Sequence, residues 1–471
     1  MVIYGLAGAA AAAVSTALFL YASDFDAALF RTIVIWYVYC WPIVPTLATV
    51  LVLSSRQTLS LFVLYVATGA VLIYLWSVLR VSSGAIDVAP GSNVLNFLSF
   101  LVINAGVPIV LLFVIWNRRF RSLVPFILSG LLVFSFAALL LRQMFVRVFD
   151  YPVLRTIVLN LTTEVPGLGV ESLAFMVASI PIGYACWTGL VWIGCLYERK
   201  AFSDIQLQLD TLWLIVVFNE VIALSSGLGW KALLNLLAFL AYRGTVTLGL
   251  KCWRLPERAV SRPRLLLLRV FGYQRRTEKL FDVIAQRWRA CGSVQMIAGA
   301  DLGVRTLDPG DFLAFLGGRM KQQFVKDGSA LQQKLAQLDA GPDSDGQFRV
   351  VEFFCHDNTW RPTLTALLRR SDVVVMDLRS FSKANSGCIY ELQQLVEHKL
   401  LNRALFVVDQ TTDVPLLEST LLGVVPDPST VEEARIRPTL NLIHLIKNQS
   451  GADLARIYQK LCQLKPALRD F

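Results

Sequence analysis

The sequence predicts two folds in one chain: a multi-pass α-helical membrane domain over residues 1–250 and a cytosolic α/β domain with a mainly parallel sheet over 265–471, joined by a basic linker at 251–264. Three observations carry this. Composition is 55% hydrophobic and mean hydropathy is +0.56, too apolar for an ordinary soluble enzyme. Charge is segregated: residues 1–250 hold 13 Lys and Arg and 10 Asp and Glu, whereas the remaining 221 residues hold 31 and 24. Beyond residue 264, short β-branched runs alternate with amphipathic stretches, the pattern of strands and crossover helices.

In the first part, apolar runs of about 20 residues, enough to cross a hydrocarbon core, lie near 3–22, 29–53, 59–80, 94–116, 123–146, 171–196, 211–228 and 231–250, predicting eight helices. The first run follows Met1-Val2-Ile3-Tyr4-Gly5, with no basic residue, so it reads as a retained helix rather than a cleaved signal. Arg56, the cluster Arg118, Arg119 and Arg121, and the pair Arg199 and Lys200 fall on one side, and Asp24 and Asp26 on the other. The bias in basic loops predicts an integral inner- or plasma-membrane protein with both termini cytoplasmic. The segment 147–170 reads as an interfacial or re-entrant piece.

Glu220 and Arg243 form a candidate intramembrane polar pair, because an ionisable residue inside a span is costly. They lie about 9 and 14 residues from the turn near Gly229, so at about 1.5 Å per residue their depths differ by only ~8 Å. The pair reads either as a static hairpin lock or as an element that changes state with a membrane signal. The sequence shows neither a broken-helix pair nor a repeated polar motif, which leaves a transporter with a regulatory cytosolic domain as a minor alternative.

The linker from Trp253 to Arg264 carries two prolines and four arginines, suited to anionic headgroups at the inner leaflet. In the second part, strands are expected at Leu265–Val270, Val294–Ala298, Ser371–Leu378 and Leu440–Ile446. Helices are expected at 275–290, 311–325, 329–338, from Ser386 past Leu400, and at 452–464.

The richest segment is Ser371 to Leu392. Val373, Val374, Val375 and Met376 form a strand buried on both faces, and Arg379 to Gly387 is a polar loop. Cys388, Leu392, Leu395, Val396 and Leu400 then recur at helical spacing. Glu391 lies roughly 100° from the centre of that apolar stripe, just past its edge, in the helix's first turn. Open α/β sheets hold ligands outside the carboxyl ends of their strands, which gathers Asp377, Arg379, Ser382, Asn385 and Glu391 around one crevice. An acid in a first turn is also what the helix dipole alone favours.

Trp360, near the carboxyl end of the preceding strand, either stacks on a base or covers the core. Phe271-Gly272-Tyr273 closes the first cytosolic strand ahead of Arg275 and Arg276, a place where helix-terminal amides and guanidinium groups meet phosphates. Neither a G-x-G-x-x-G nor a Walker A motif is present. The eight cysteines include no C-x-x-C pair and the three histidines are scattered, so no metal site is expected. Cys355-His356-Asp357 is set aside as a catalytic trio, because adjacent residues do not converge on one substrate atom.

The run Ser386-Gly387-Cys388-Ile389-Tyr390-Glu391-Leu392, after a strand beginning Ser371-Asp372-Val373-Val374, resembles the Toll/interleukin-1 receptor (TIR) domain pattern S-x-W-C-x-x-E-L. The resemblance implies a flavodoxin/TIR-like sheet in which Phe348–Phe354 is the second strand, Arg361–Arg370 the second helix and Arg403–Asp409 the fourth strand. It further implies NAD as a possible substrate rather than a cofactor, with Glu391 catalytic and Asp377, Arg379, Ser382, Asn385, Ser386 and Trp360 lining the pocket. Gly387 stands where the family has Trp. The same segment also resembles nucleoside deoxyribosyltransferase-like folds, whose glutamate likewise acts at a nucleoside N-glycosidic bond.

Two functions follow as expectations: a membrane-anchored effector that cleaves the N-glycosidic bond of NAD or a related nucleotide, as in bacterial defence, or a non-enzymatic nucleotide- or partner-binding signalling module. The expected partners are the lipid bilayer, a nucleotide and further copies of the chain through the TIR-like or membrane domain. No nucleic-acid partner is expected.

Overall fold

A computed structural model describes residues 1–23, 28–51, 53, 55–82, 91–102, 152, 153, 156, 160, 170–252, 263–269, 280–298 apart from 282, 283 and 286, 318, 324–336, 338, 341–422, 440–445 and 451–464. The chain divides into two units, Met1–Arg254 forming the body of the first, and Leu255–Arg305 with Gly318–Phe471 forming the second.

The first unit is helical throughout its described length. Its helices are Val2–Ala22, Leu29–Tyr39, Ile43–Val50, Ser55–Ser82, Gly91–Val102, Val170–Glu198, Asp204–Leu228 and, after the 3-10 turn Gly229–Asn235, Leu236–Cys252. Alanine-rich Val2–Ala22 has the highest intrinsic helix propensity and the smallest side chains. It packs closely on Leu236–Cys252, burying Ala7, Ala11, Ala238 and Tyr242. Glycine permits the approach, since a Cβ built on Gly249 falls 2.6 Å from Ile3 Cγ2; likewise one on Gly8 falls 2.6 Å from Ile43 Cγ1 of helix Ile43–Val50. Asp204–Leu228 opens with a capping box between Ser203 and Gln206, so its start is fixed by sequence.

Among the described residues, four helical stretches are long and apolar enough to cross a membrane: Val2–Ala22, Arg56–Val78, Asp204–Ser225 and Gly229–Cys252. The run at 29–53 is not one straight helix but a pair bent by 47° at Cys40–Pro42. A broken segment therefore exists where the sequence had shown none. Its break is held by a reciprocal clamp in which Tyr65 Oη donates to Tyr37 O at 2.6 Å and Tyr37 Oη donates to Tyr65 O at 2.8 Å, with the rings stacked 4.8 Å apart. The run at 171–196 is the single helix Val170–Glu198, which contains Pro181. The run at 123–146 and most of 94–116 lie outside the described residues, as does most of 147–170.

The Glu220–Arg243 pair does not form. Arg243 Nη1 lies 2.8 Å from Asp210 Oδ2, and Glu220 accepts a hydrogen bond from Tyr39 Oη at 3.3 Å. The reason is axial rise. Arg243 already lies ~8 Å beyond the level of Glu220 at about 1.5 Å per residue, and the 3-10 helix Gly229–Asn235, rising about 2 Å per residue, adds ~3.5 Å more in the direction of Asp210.

The second unit is built on a seven-stranded, fully parallel sheet in the order β3-β4-β2-β1-β5-β6-β7. The strands are β1 Arg264–Arg269, β2 Ser293–Ala298, β3 Phe324–Val325, β4 Val350–Cys355, β5 Val373–Asp377, β6 Ala404–Val408 and β7 Asn441–His444. Leaving aside the two-residue β3, the remaining six run in the doubly wound dinucleotide-fold order, with the switch point between β1 and β5. Phe348–Phe354, which the resemblance implies as the second strand, is β4, and β2 separates it from β1. Phe324 and Val325, expected at the end of a helix, form the edge strand β3.

Side chains alternate along β5. Val374, Met376 and Leu378 enter one core with helices Gly328–Ala336, Trp360–Arg370, Ser386–Glu397 and Val414–Leu422. Val373 and Val375 enter the other, with Leu280, Phe281, Ile284 and Trp288 and with Ile457 and Leu461 of helix Gly451–Leu464. Both faces are covered, which is why β5 and β6 read as continuous apolar runs.

Candidate functional site

β5 ends at Asp377, whose neighbours in register are Arg269 of β1 and Val407 of β6. Asp377 therefore stands at the carboxyl edge beside the switch point. Arg379 reaches back two residues and grips it: Nε donates to Oδ1 at 2.8 Å and Nη2 to Oδ2 at 2.6 Å, with the Arg379 backbone N–H adding a bond to Oδ1 at 3.2 Å. The planar guanidinium matches the carboxylate fork. Asp377 is 1% exposed and Arg379 7%, so this is a buried ion pair.

The loop that follows is tied to the one after β6. Ser380, at φ +63°, donates from its backbone N–H to Thr411 Oγ1 at 2.9 Å. Thr411 N–H donates to Asp409 Oδ1 at 2.9 Å, Thr412 Oγ1 donates to Leu378 O at 3.0 Å and Asp413 N–H to Phe381 O at 3.0 Å. Ser382 donates from both its backbone N–H and its hydroxyl to Asn385 Oδ1, at 2.9 and 3.0 Å, which sets the turn into helix Ser386–Glu397. Ser386 opens that helix and is exposed.

Glu391 sits in the second turn of this helix, not the first, and helix-dipole placement does not account for it. Nor does it lie at the edge of the apolar stripe: with Cys388, Leu392 and Leu395 it belongs to the buried face and is 2% exposed. Helices Trp360–Arg370 and Val414–Leu422 flank it and widen the covered face beyond the stripe. By strand alternation Asp377 belongs to the opposite face, that of Val373 and Val375. The Asp377–Arg379 pair and Glu391 thus approach the carboxyl edge from opposite sides of the sheet.

Trp360 opens the crossover helix after β4 and packs half-buried on the core. Its ring meets Tyr390, the residue before Glu391, edge to face at 5.4 Å and 84°. Arg361, exposed, places its guanidinium 5.4 Å from the Trp360 centroid and 4.9 Å from that of Tyr390. Thr365 Oγ1 also donates to Gln394 Oε1 at 3.2 Å, so two contacts join these helices. Sequence reasoning missed Arg361, Tyr390 and the Asp409–Thr411 hydroxyl cluster. The Trp360–Tyr390 contact spans 30 residues and left no local signal.

Cys355 is buried, and burial pushes its thiol up from the usual range, while His356 and Asp357 are exposed. The three point to different environments. Phe271, Gly272 and Tyr273, with Arg275 and Arg276, lie outside the described residues. Among the described residues no three His, Cys, Asp or Glu side chains gather as a metal site. No family model, curated protein or solved structure matches this chain.

Proposed function

We propose that this chain is an integral membrane protein whose helices anchor an α/β domain that binds a nucleotide at the carboxyl ends of β1 and β5 and serves as a signalling module. One observation carries the binding reading: the six principal strands take the dinucleotide-fold order, so the crevice at the β1/β5 switch point is the place where such sheets hold a phosphorylated ligand. The β5 loop beside it is pre-shaped by its bonds to the β6 loop, which lowers the ordering cost of binding. Membrane anchoring is supported by the four long apolar helices and by their outward side chains. Leu59, Val63, Leu64, Val71 and Leu75 of helix Ser55–Ser82 are all exposed, as suits a helix facing lipid. On this reading both termini are cytoplasmic, in keeping with the basic loops.

A TIR-like N-glycosidic hydrolase is the second reading, and it is favoured by the setting of Glu391. A carboxylate withdrawn from water on the β5 helix would act on developing oxocarbenium charge in a low-dielectric site, where such stabilisation is strongest. It is then a catalytic residue reached through opening of the neighbouring Tyr390 and Trp360.

The test uses the full-length chain in detergent micelles. Photolabelling with an azido-adenine nucleotide is expected to mark peptides around 263–270 and 378–385, and labelling spread over the whole chain would remove the binding reading. With NAD and the chain at high concentration, nicotinamide release that disappears in Glu391→Gln supports the hydrolase; no release, with specific labelling intact, leaves the signalling module.

A further inference from the structure

Building on the nucleotide-binding reading above, we propose that Arg361, held over Trp360 and Tyr390, is the phosphate-recognising group of the site. The guanidinium carbon lies over both rings, which stand at 84° to each other, so the planar group stacks on at most one of them. Arg361 is exposed, and the N–H donors along its edge lie in a plane that matches two oxygens of a phosphate. Among the described residues no carboxylate lies within ion-pair distance of it, in contrast to Arg379, Arg349 and Arg243, each of which is held by an aspartate.

Stability does not explain the arrangement. A cation in the first turn of a helix opposes the helix dipole, and exposed cation–π contacts are worth only about 0.5–1 kcal/mol each. The contacts serve to orient the fork. The rings that do this are rooted in the core: Trp360 and Tyr390 are both half-buried against it, on helices joined again by Thr365 and Gln394.

The position fits the switch point. Trp360–Arg370 is the crossover from β4 to β5, packing on β1, β2 and β4, and its first turn lies at the carboxyl side of the sheet. Tyr390 enters from the helix after β5. The cluster therefore bridges the two helices that border the crevice on one face. It also decides between ligand parts. A base stacking on the ring surface that Arg361 covers must displace it, whereas a phosphate pairs with the guanidinium itself. The base is then left to the β5 loop side and the phosphate to Arg361.

Equilibrium dialysis of the full-length chain with radiolabelled ADP and adenosine tests this. The unaltered chain is expected to bind ADP more tightly than adenosine. In Arg361→Ala, ADP affinity is expected to fall by about 10- to 100-fold, the size of a charge-assisted hydrogen-bond loss, with adenosine affinity unchanged. Arg361→Lys, a point charge without the fork, is expected to recover only part. Soluble inositol bisphosphate is run as a competitor, because a lipid headgroup presents the same phosphate chemistry. ADP affinity that survives Arg361→Ala, an equal loss for adenosine, or a headgroup that binds while ADP does not each overturn the assignment to a nucleotide phosphate. Absence of any nucleotide binding by the unaltered chain overturns the nucleotide reading itself, a result distinct from the other three.

Discussion

Asp377 and Arg379 show what a two-residue spacing at a strand end accomplishes. Each neutralises the other out of water, so removing one leaves an uncompensated buried charge. Arg379→Ala is expected to lower the stability of the α/β unit by about 3–5 kcal/mol, read as a shift in its thermal unfolding followed by circular dichroism. Arg379→Lys, which cannot reproduce the bidentate fork, should recover only part of the loss. The D-x-R spacing was legible in the sequence; that the two side chains would close on each other was not, because either could have faced a ligand. Glu391 makes the same point from the other direction. Its place on a helix after β5 was legible, but its depth depends on flanking helices that local periodicity does not see.

At the scale of elements, the sequence located most strands and helices of the α/β unit to within a residue or two, since β-branched runs and helical spacing are local signals. Neighbour relations were harder. β2 lies between β1 and β4 because the crossover after β2 moves the chain outward once more before it returns to β5, and nothing in residues 348–354 encodes how many strands precede them. The same limit applied to the helical unit, where Arg243 pairs with Asp210 and not with Glu220. Close helix packing gives a direct test. Gly249→Val is expected to cost about 1–3 kcal/mol by overpacking against Ile3, whereas Gly244→Val, with nothing within 4 Å of the added carbon, should cost less. Thermal unfolding of both variants in the same micelles distinguishes them, and equal losses would refute the packing argument.

The whole molecule holds two kinds of core. One is made of helices whose outward faces carry exposed leucine, valine and tryptophan; the other is a covered parallel sheet. Such cores should unfold separately, so calorimetry of the full-length chain is expected to show two transitions, with only one of them moving when detergent chain length is changed. A single transition insensitive to detergent would contradict the assignment of the helical unit to lipid. The fold class was legible at this scale because charge segregation is a bulk property; the bend within 29–53 was not, since a bent pair and a straight helix have the same composition.

The packing of Val2–Ala22 against Leu236–Cys252, together with the hydrogen bond from Ser15 to Asn235 at 3.0 Å, has a consequence for biosynthesis. Helix Val2–Ala22 is matched to a helix that starts more than 200 residues further along the chain, at Leu236. At about 5–20 residues per second, roughly 10–45 s pass before that partner exists. During that interval the alanine-rich helix has its small-residue face open to whatever membrane or insertion machinery receives it. Translation halted before residue 236 would leave it with that face unfilled, which makes the N-terminal helix a marker of whether synthesis of the unit was completed.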